Sequence, residues 1–208
     1  MLTLYTKANT GSVAADIALA WSRLPHRVHC LKPGENHELA YLAINPLGSV
    51  PALAFSTGEV LTETAAILSY VDALSPDAFP APRRDALGQA TLVSWLSFLG
   101  SELQAAFGPV RAPGRFSQDP DHHRDLREQA EARIAFLFGH VEERFVGPFL
   151  FGAHRSVADP YLFVICRWLA DTTIDLESYG QLASFTRHMD LDADIIHAMS
   201  RYENSPVR

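Results

Sequence analysis

The stretch NPLGSVP, residues 45–51, is dense in turn formers, and the segments on either side of it set the architecture. After it, ALAFSTGEVLT (52–62) reads as two short strands joined by a tight turn at Ser56-Thr57-Gly58. Thr62-Glu63-Thr64 then opens a helix that carries Ala65, Ile67, Leu68, Val71 and Leu74 at helical spacing. Before it, Leu2 to Tyr5 reads as a first strand, followed by Val13, Ile17, Ala20, Trp21 and Leu24 on one helical stripe. Val28 and Cys30 alternate with His29 in a second strand, and HELAYLAIN (37–45) holds a short helix. The order over residues 1–75 is therefore β-α-β-α-β-β-α, an α/β domain.

Composition shifts at SPDAFPAPRR, where Pro76, Pro80 and Pro82 do not fit inside one regular element, so residues 76–84 read as a linker. The start of the next helix at Arg83-Arg84-Asp85 reads as solvated. Strand signals then vanish. Trp95, Phe98, Leu99, Leu103 and Phe107 form one amphipathic stripe, Leu126 to Phe145 another, and a third helix starts at Ser156. Residues 85–208 are expected to form an all-α domain.

Hydrophobic residues make up 48% of the 208, charged residues 20%, and the net charge is −7, a globular balance. No basic run suited to nucleic acid exists. The longest apolar run, Tyr161 to Cys166, is far too short to span a membrane. The two cysteines, Cys30 and Cys166, lie far apart inside apolar patterns and read as buried thiols. The nine histidines show no metal-ligand spacing, so no metal is expected.

Four blocks, in order and correctly spaced, carry a resemblance: NPLGSVPAL (45–53), LTETAAILSYVD (61–72), WLSFLGSELQAAFGPV (95–110) and SVADPYLFVICRW (156–168). Through them the whole chain resembles the cytosolic glutathione transferases, and within these the bacterial beta class. The resemblance implies a thioredoxin-like N-terminal domain, a helical C-terminal domain, a cytoplasmic homodimer and a site for glutathione. It implies a cis peptide at Val50-Pro51, with Val50 backbone groups pairing the cysteinyl backbone of glutathione, where a plain trans proline is the alternative. Glu63 and Thr64 would hold the γ-glutamyl end, Thr64 receiving its carboxylate at a helix N-terminus; both also suit an ordinary cap. Lys32 would face the glycyl carboxylate, and Asn9 would add an amide donor. In SVAD, Ser156 and Asp159 form an N-capping box, with Arg155 where a hydrophobic staple would stand.

A glutathione transferase needs its substrate's thiolate at neutral pH, which a helix N-terminus and an aimed donor provide. The beta-class pattern places a cysteine in the first turn and a histidine on the helix opposite. Here Gly11 falls at the cysteine's place and Gln104 at the histidine's, with one extra residue between Tyr5 and Ser12. Exchange through a protein thiol at this corner is excluded. Ser12 stands first as thiolate donor, then Thr10, then Tyr5; a pure N-cap is the alternative for Ser12. Gln104, Phe107 and Tyr161 are expected to line the electrophile side, with Trp168 in the core. Conjugation to a hydrophobic electrophile, reduction of peroxides or disulfides through glutathione alone, and a non-catalytic ligand- or partner-binding role all fit these residues.

Overall fold

A computed structural model describes residues 1–82 and 84–202, so Arg83 and the last six residues of the expected helical domain lie outside the described residues. Four strands form one sheet in the order β2-β1-β3-β4. β1 (Leu2–Thr6) runs parallel to β2 (His26–Cys30) and antiparallel to β3 (Ala52–Ala54), which pairs antiparallel with β4 (Val60–Thr62). Strand alternation divides the side chains between the two faces. Leu4, opposite Leu53, faces α1 (Ser12–Ser22) and α3 (Thr64–Leu74) in the main core. Tyr5, opposite Ala52, faces α2 (Leu39–Leu42) in a small second cluster with Tyr41 and Leu31.

Helix α1 is buried almost all round, Asp16 included. It lies between the sheet and the helical half, packing on α3, on α7 (Ala158–Arg167) and on α9 (Ala193–Ser200). Trp21 at its end donates its indole N–H to Asp192, which caps α9, while the Arg155 guanidinium stacks 4.7 Å over the same ring. The segment between α3 and α4 (Ala86–Phe98) is also tied down: Arg84 bonds buried Asp72 at 2.5 Å and the Phe79 carbonyl, and Phe79 is fully buried. Past α4 the chain makes a π turn over Leu99–Gln104, then α5 (Gly108–Arg111) and the long α6 (His123–Arg144). Helix α8 (Gly180–Asp190) completes the bundle around α7, in which every residue from Ala158 to Cys166 is buried.

Two expectations shift. Cys30 is only half-buried, whereas Cys166 is enclosed and burial pushes its thiol up to about 12, which keeps it protonated. At the capping box the Asp159 carboxylate does reach back to the Ser156 N–H at 2.6 Å, but the Ser156 hydroxyl accepts from Ala158 N–H at 3.2 Å rather than from Asp159.

Candidate functional site

The N-terminal turn of α1 is built from hydroxyls. Asn9 takes up the extra residue of the loop in the left-handed region, at φ 57°, which asparagine tolerates better than most residues. That conformation brings Thr10 back over Ser12. Their hydroxyl oxygens lie 2.5 Å apart, and Thr10 donates to the Lys7 carbonyl at 2.8 Å. Ser12 Oγ accepts the Lys7 N–H at 3.1 Å and sits 2.7 Å from Thr6 Oγ1. Ser12 is 0% exposed, so its hydroxyl reaches the cleft only through Thr10, which is half-exposed. Tyr5 does not join this group. Alternation turns it to the opposite sheet face, where its ring packs 5.3 Å from His29 and 5.7 Å from Tyr41.

Around the 45–51 turn, Tyr41 and Asn45 both donate to the Ser49 carbonyl, at 2.6 and 2.8 Å. The Val50-Pro51 bond is cis, and the Val50 N–H and C=O take no partner among the described residues. An extended peptide can therefore add itself here as a strand would. Glu63 precedes α3 at φ 69° and ψ 125°, a strained backbone for a residue with a side chain. It is exposed, and Thr64 behind it is 6% exposed at the first turn of α3. Lys32 has an exposed side chain, and its backbone N–H is held by Glu35 at 2.8 Å.

From the helical half, Tyr161 donates its hydroxyl to Gln104 Oε1 at 3.0 Å, and its ring edge lies beside Gly11 at the start of α1. Tyr161 is 2% exposed and Phe107 1%, so neither lines an open wall. The Phe107 ring is packed 5.5 Å from Trp168, itself in the core. Sequence reasoning missed Arg111, which donates to the Asn9 carbonyl at 2.6 Å, pairs with Asp171 at 3.1 Å and stacks 4.4 Å over Trp168. It also missed Phe116, which is 55% exposed and lies over Gly108. No local signal marks either residue. Thr6 was within reach of alternation, since it shares the Leu4 face. Two surface hollows of about 350 and 470 Å³, around Phe185 and around Ile174, contain none of these residues. No group of metal-ligating side chains occurs among the described residues.

The first turn of α1, lined by hydroxyls, suits an anion, and the Val50 N–H and C=O offer an unpaired strand edge. Residues 12–74 match the family model described as "Glutathione S-transferase, N-terminal domain". The chain is 30% identical over 199 residues to glutathione S-transferase GST-4.5 of Xanthomonas campestris, covering 95% of this chain and 97% of that one. It superposes on a glutathione transferase homologue from Sulfitobacter with bound glutathione at a TM-score of 0.88 and 33% identity, covering 97% and 98% of the two chains. Against the beta-class enzyme of Sphingomonas chungbukensis the TM-score is 0.83 and the identity 31%, over 96% of this chain and 98% of that one. With this likeness running the length of both halves, the chain belongs to the glutathione S-transferase family.

Proposed function

We propose that this chain binds glutathione and holds its sulfur as a thiolate for attack on a small electrophilic carbon. The observation that carries this reading is the pair of unpartnered Val50 backbone groups ahead of Pro51, in a chain of this family. The γ-glutamyl carboxylate then lies at Thr64 with the substrate's ammonium near Glu63. The cysteinyl backbone pairs with Val50 ahead of Pro51, and the sulfur comes to rest at Thr10 and Gly11. Lys32 and Asn9 stand on the rim, Lys32 for the glycyl carboxylate.

Thr10 now takes first place as the direct donor. Its proton turns from the Lys7 carbonyl to the sulfur, while Ser12 donates to Thr10 from beneath. Tyr5 has no part. Thr10→Val is expected to raise the pKa of bound glutathione by about 1–2 units, the worth of one hydrogen bond to a charged group. Thiolate absorbance titrated against pH measures this, and an unmoved titration would leave the task to backbone N–H groups alone. Ser12→Ala is expected to lower stability by about 1–2 kcal/mol as well, since the part-buried Lys7 N–H loses its acceptor. Tyr5→Phe should change neither.

Retention on glutathione-agarose tests the whole reading, and a folded protein that flows through would overturn it. Homodimer formation through α3 and α4 is supported by exposed Leu74, Leu87 and Val93 on these two helices. Among the described residues no helix is long and apolar enough to cross a membrane. A cytoplasmic role in detoxification rests on kinship alone.

A further inference from the structure

Arg111 ends α5 with its guanidinium held on three sides. It stacks 4.4 Å over the Trp168 ring, its Nε lies 3.1 Å from Asp171, and a terminal nitrogen donates to the Asn9 carbonyl at 2.6 Å. The first two anchors belong to the helical half and are braced there. Trp168 packs on Phe107, and Arg127 donates to the Asp171 carbonyl while pairing with Glu131 at 3.0 Å. The third contact crosses 102 residues of sequence to the turn ahead of α1. Asn9 is exposed and stands at φ 57°, a region that asparagine tolerates but does not prefer. It takes its hydrogen bond from Arg111 and from no other described residue. Because a peptide group is planar, holding the Asn9 carbonyl also fixes the direction in which the chain enters Thr10. From there the Thr10 hydroxyl reaches the Lys7 carbonyl at 2.8 Å and lies 2.5 Å from Ser12 Oγ.

We propose that Arg111 is a positioning residue for the thiolate: by holding the Asn9 carbonyl it keeps the loop folded back at Asn9 and the Thr10 hydroxyl over Ser12, where that hydroxyl meets the glutathione sulfur. This deepens the proposed function and rests on it. A hydrogen bond from a cation is stronger than one between neutral groups, which suits a single contact that must hold an exposed turn. Without it the loop relaxes toward negative φ at Asn9, Thr10 swings off Ser12, and the sulfur loses its donor. The charge of Arg111 is met by Asp171 inside the helical half, so what reaches the turn is a fixed carbonyl rather than a field. The helical half thus tunes the acidity of a thiol held on the other half, through a residue that touches no part of the substrate.

The experiment titrates the thiolate absorbance of bound glutathione in wild type, Arg111→Met, Asn9→Pro, Thr10→Val and the double variant Arg111→Met/Thr10→Val. Methionine keeps an unbranched stem against Trp168 while removing the donor. Proline forbids the left-handed turn, since its ring locks φ near about −65°, and leaves the packing of α5 untouched. Arg111→Met and Asn9→Pro are each expected to raise the bound thiol's pKa by about one unit. The double variant should match Thr10→Val alone, since Arg111 acts through Thr10. A double variant that adds the two shifts would make Arg111 a source of charge and overturn the proposal, as would an unmoved titration in Arg111→Met. An unmoved titration in Asn9→Pro overturns it even where Arg111→Met does not fold. Wild type that fails to bind glutathione would instead overturn the reading beneath it.

Discussion

Replacing Asp159 with Ala should lower the free energy of unfolding by about 3–5 kcal/mol, with the denaturant slope unchanged. The carboxyl is 0% exposed at the start of α7, the helix around which the bundle packs. Oδ1 accepts the Leu150 N–H at 2.8 Å, and Oδ2 accepts both the N–H and the hydroxyl of Ser156, at 2.6 and 2.9 Å. Alanine would orphan two buried backbone N–H groups at once, each worth about 1–3 kcal/mol. Asp159→Asn keeps one acceptor oxygen but turns an NH2 toward a donor, so about half that loss is expected. The pair also carries a pH signature. Burial pushes the Asp159 carboxyl up to about 6, against the pull of its donors. A carboxyl raised above its unfolded value of 3.8 contributes fully below that pH, and the contribution falls as pH rises toward 6. The margin of wild type over Asp159→Asn should therefore narrow between these two values and stay level above them. A loss under 1 kcal/mol in Asp159→Ala would show that Ser156 and Leu150 find other acceptors.

Local periodicity made most of the fold legible. The alternation of β1 and β2, the stripe of α3 and the length of α6 all follow from side-chain spacing that one face of an element must bury. What sequence did not reveal is how α1 sits beneath the helical half. The sequence predicts one buried stripe, whereas Ala14, Ala15, Asp16, Ala18 and Leu19 are enclosed as well, and it ranks Ser12 first as thiolate donor with a pure N-cap as the alternative. The structure instead puts Ser12 under Thr10, because the turn at Asn9 folds the loop back over it. Gln104 was legible as a cleft residue by its place in the segment, but the π turn that aims it leaves no trace in composition. Phe107 and Tyr161 were legible as one apolar wall, and the error lay in how deep that wall sits. Arg111 and Tyr202 meet their partners across more than 100 residues of chain, where no spacing rule applies.

Arg201→Met carries the second large expectation, a loss of about 2–4 kcal/mol. Asp16 on α1 is 0% exposed, and its two oxygens are held by the Arg201 guanidinium at 2.6 Å and the Tyr202 hydroxyl at 2.7 Å. Removing the cation leaves a buried carboxylate with one neutral donor, which is the costly way to break such a pair. The Arg201 side chain is 28% exposed, and water reaching it places the figure below that for a fully enclosed pair. Asp16→Asn added to Arg201→Met should recover much of the loss, because the charge leaves with its partner. Arg201→Met within 1 kcal/mol of wild type would mean that water replaces the guanidinium at no penalty. The same variant separates bracing from transmission. From Asp16 the contacts run through Tyr202 to Thr6 at 3.2 Å, then to Ser12 at 2.7 Å and Thr10 at 2.5 Å. Every link beyond Asp16 is a neutral hydroxyl free to choose its acceptor, so the charge change should fade along the row. Arg201→Met is therefore expected to move the bound thiol's pKa by a few tenths of a unit, well under the effect of Thr10→Val. An equal shift in the two variants would mean that the C-terminal pair sets the proton order at the thiolate turn, rather than merely holding α1 in place.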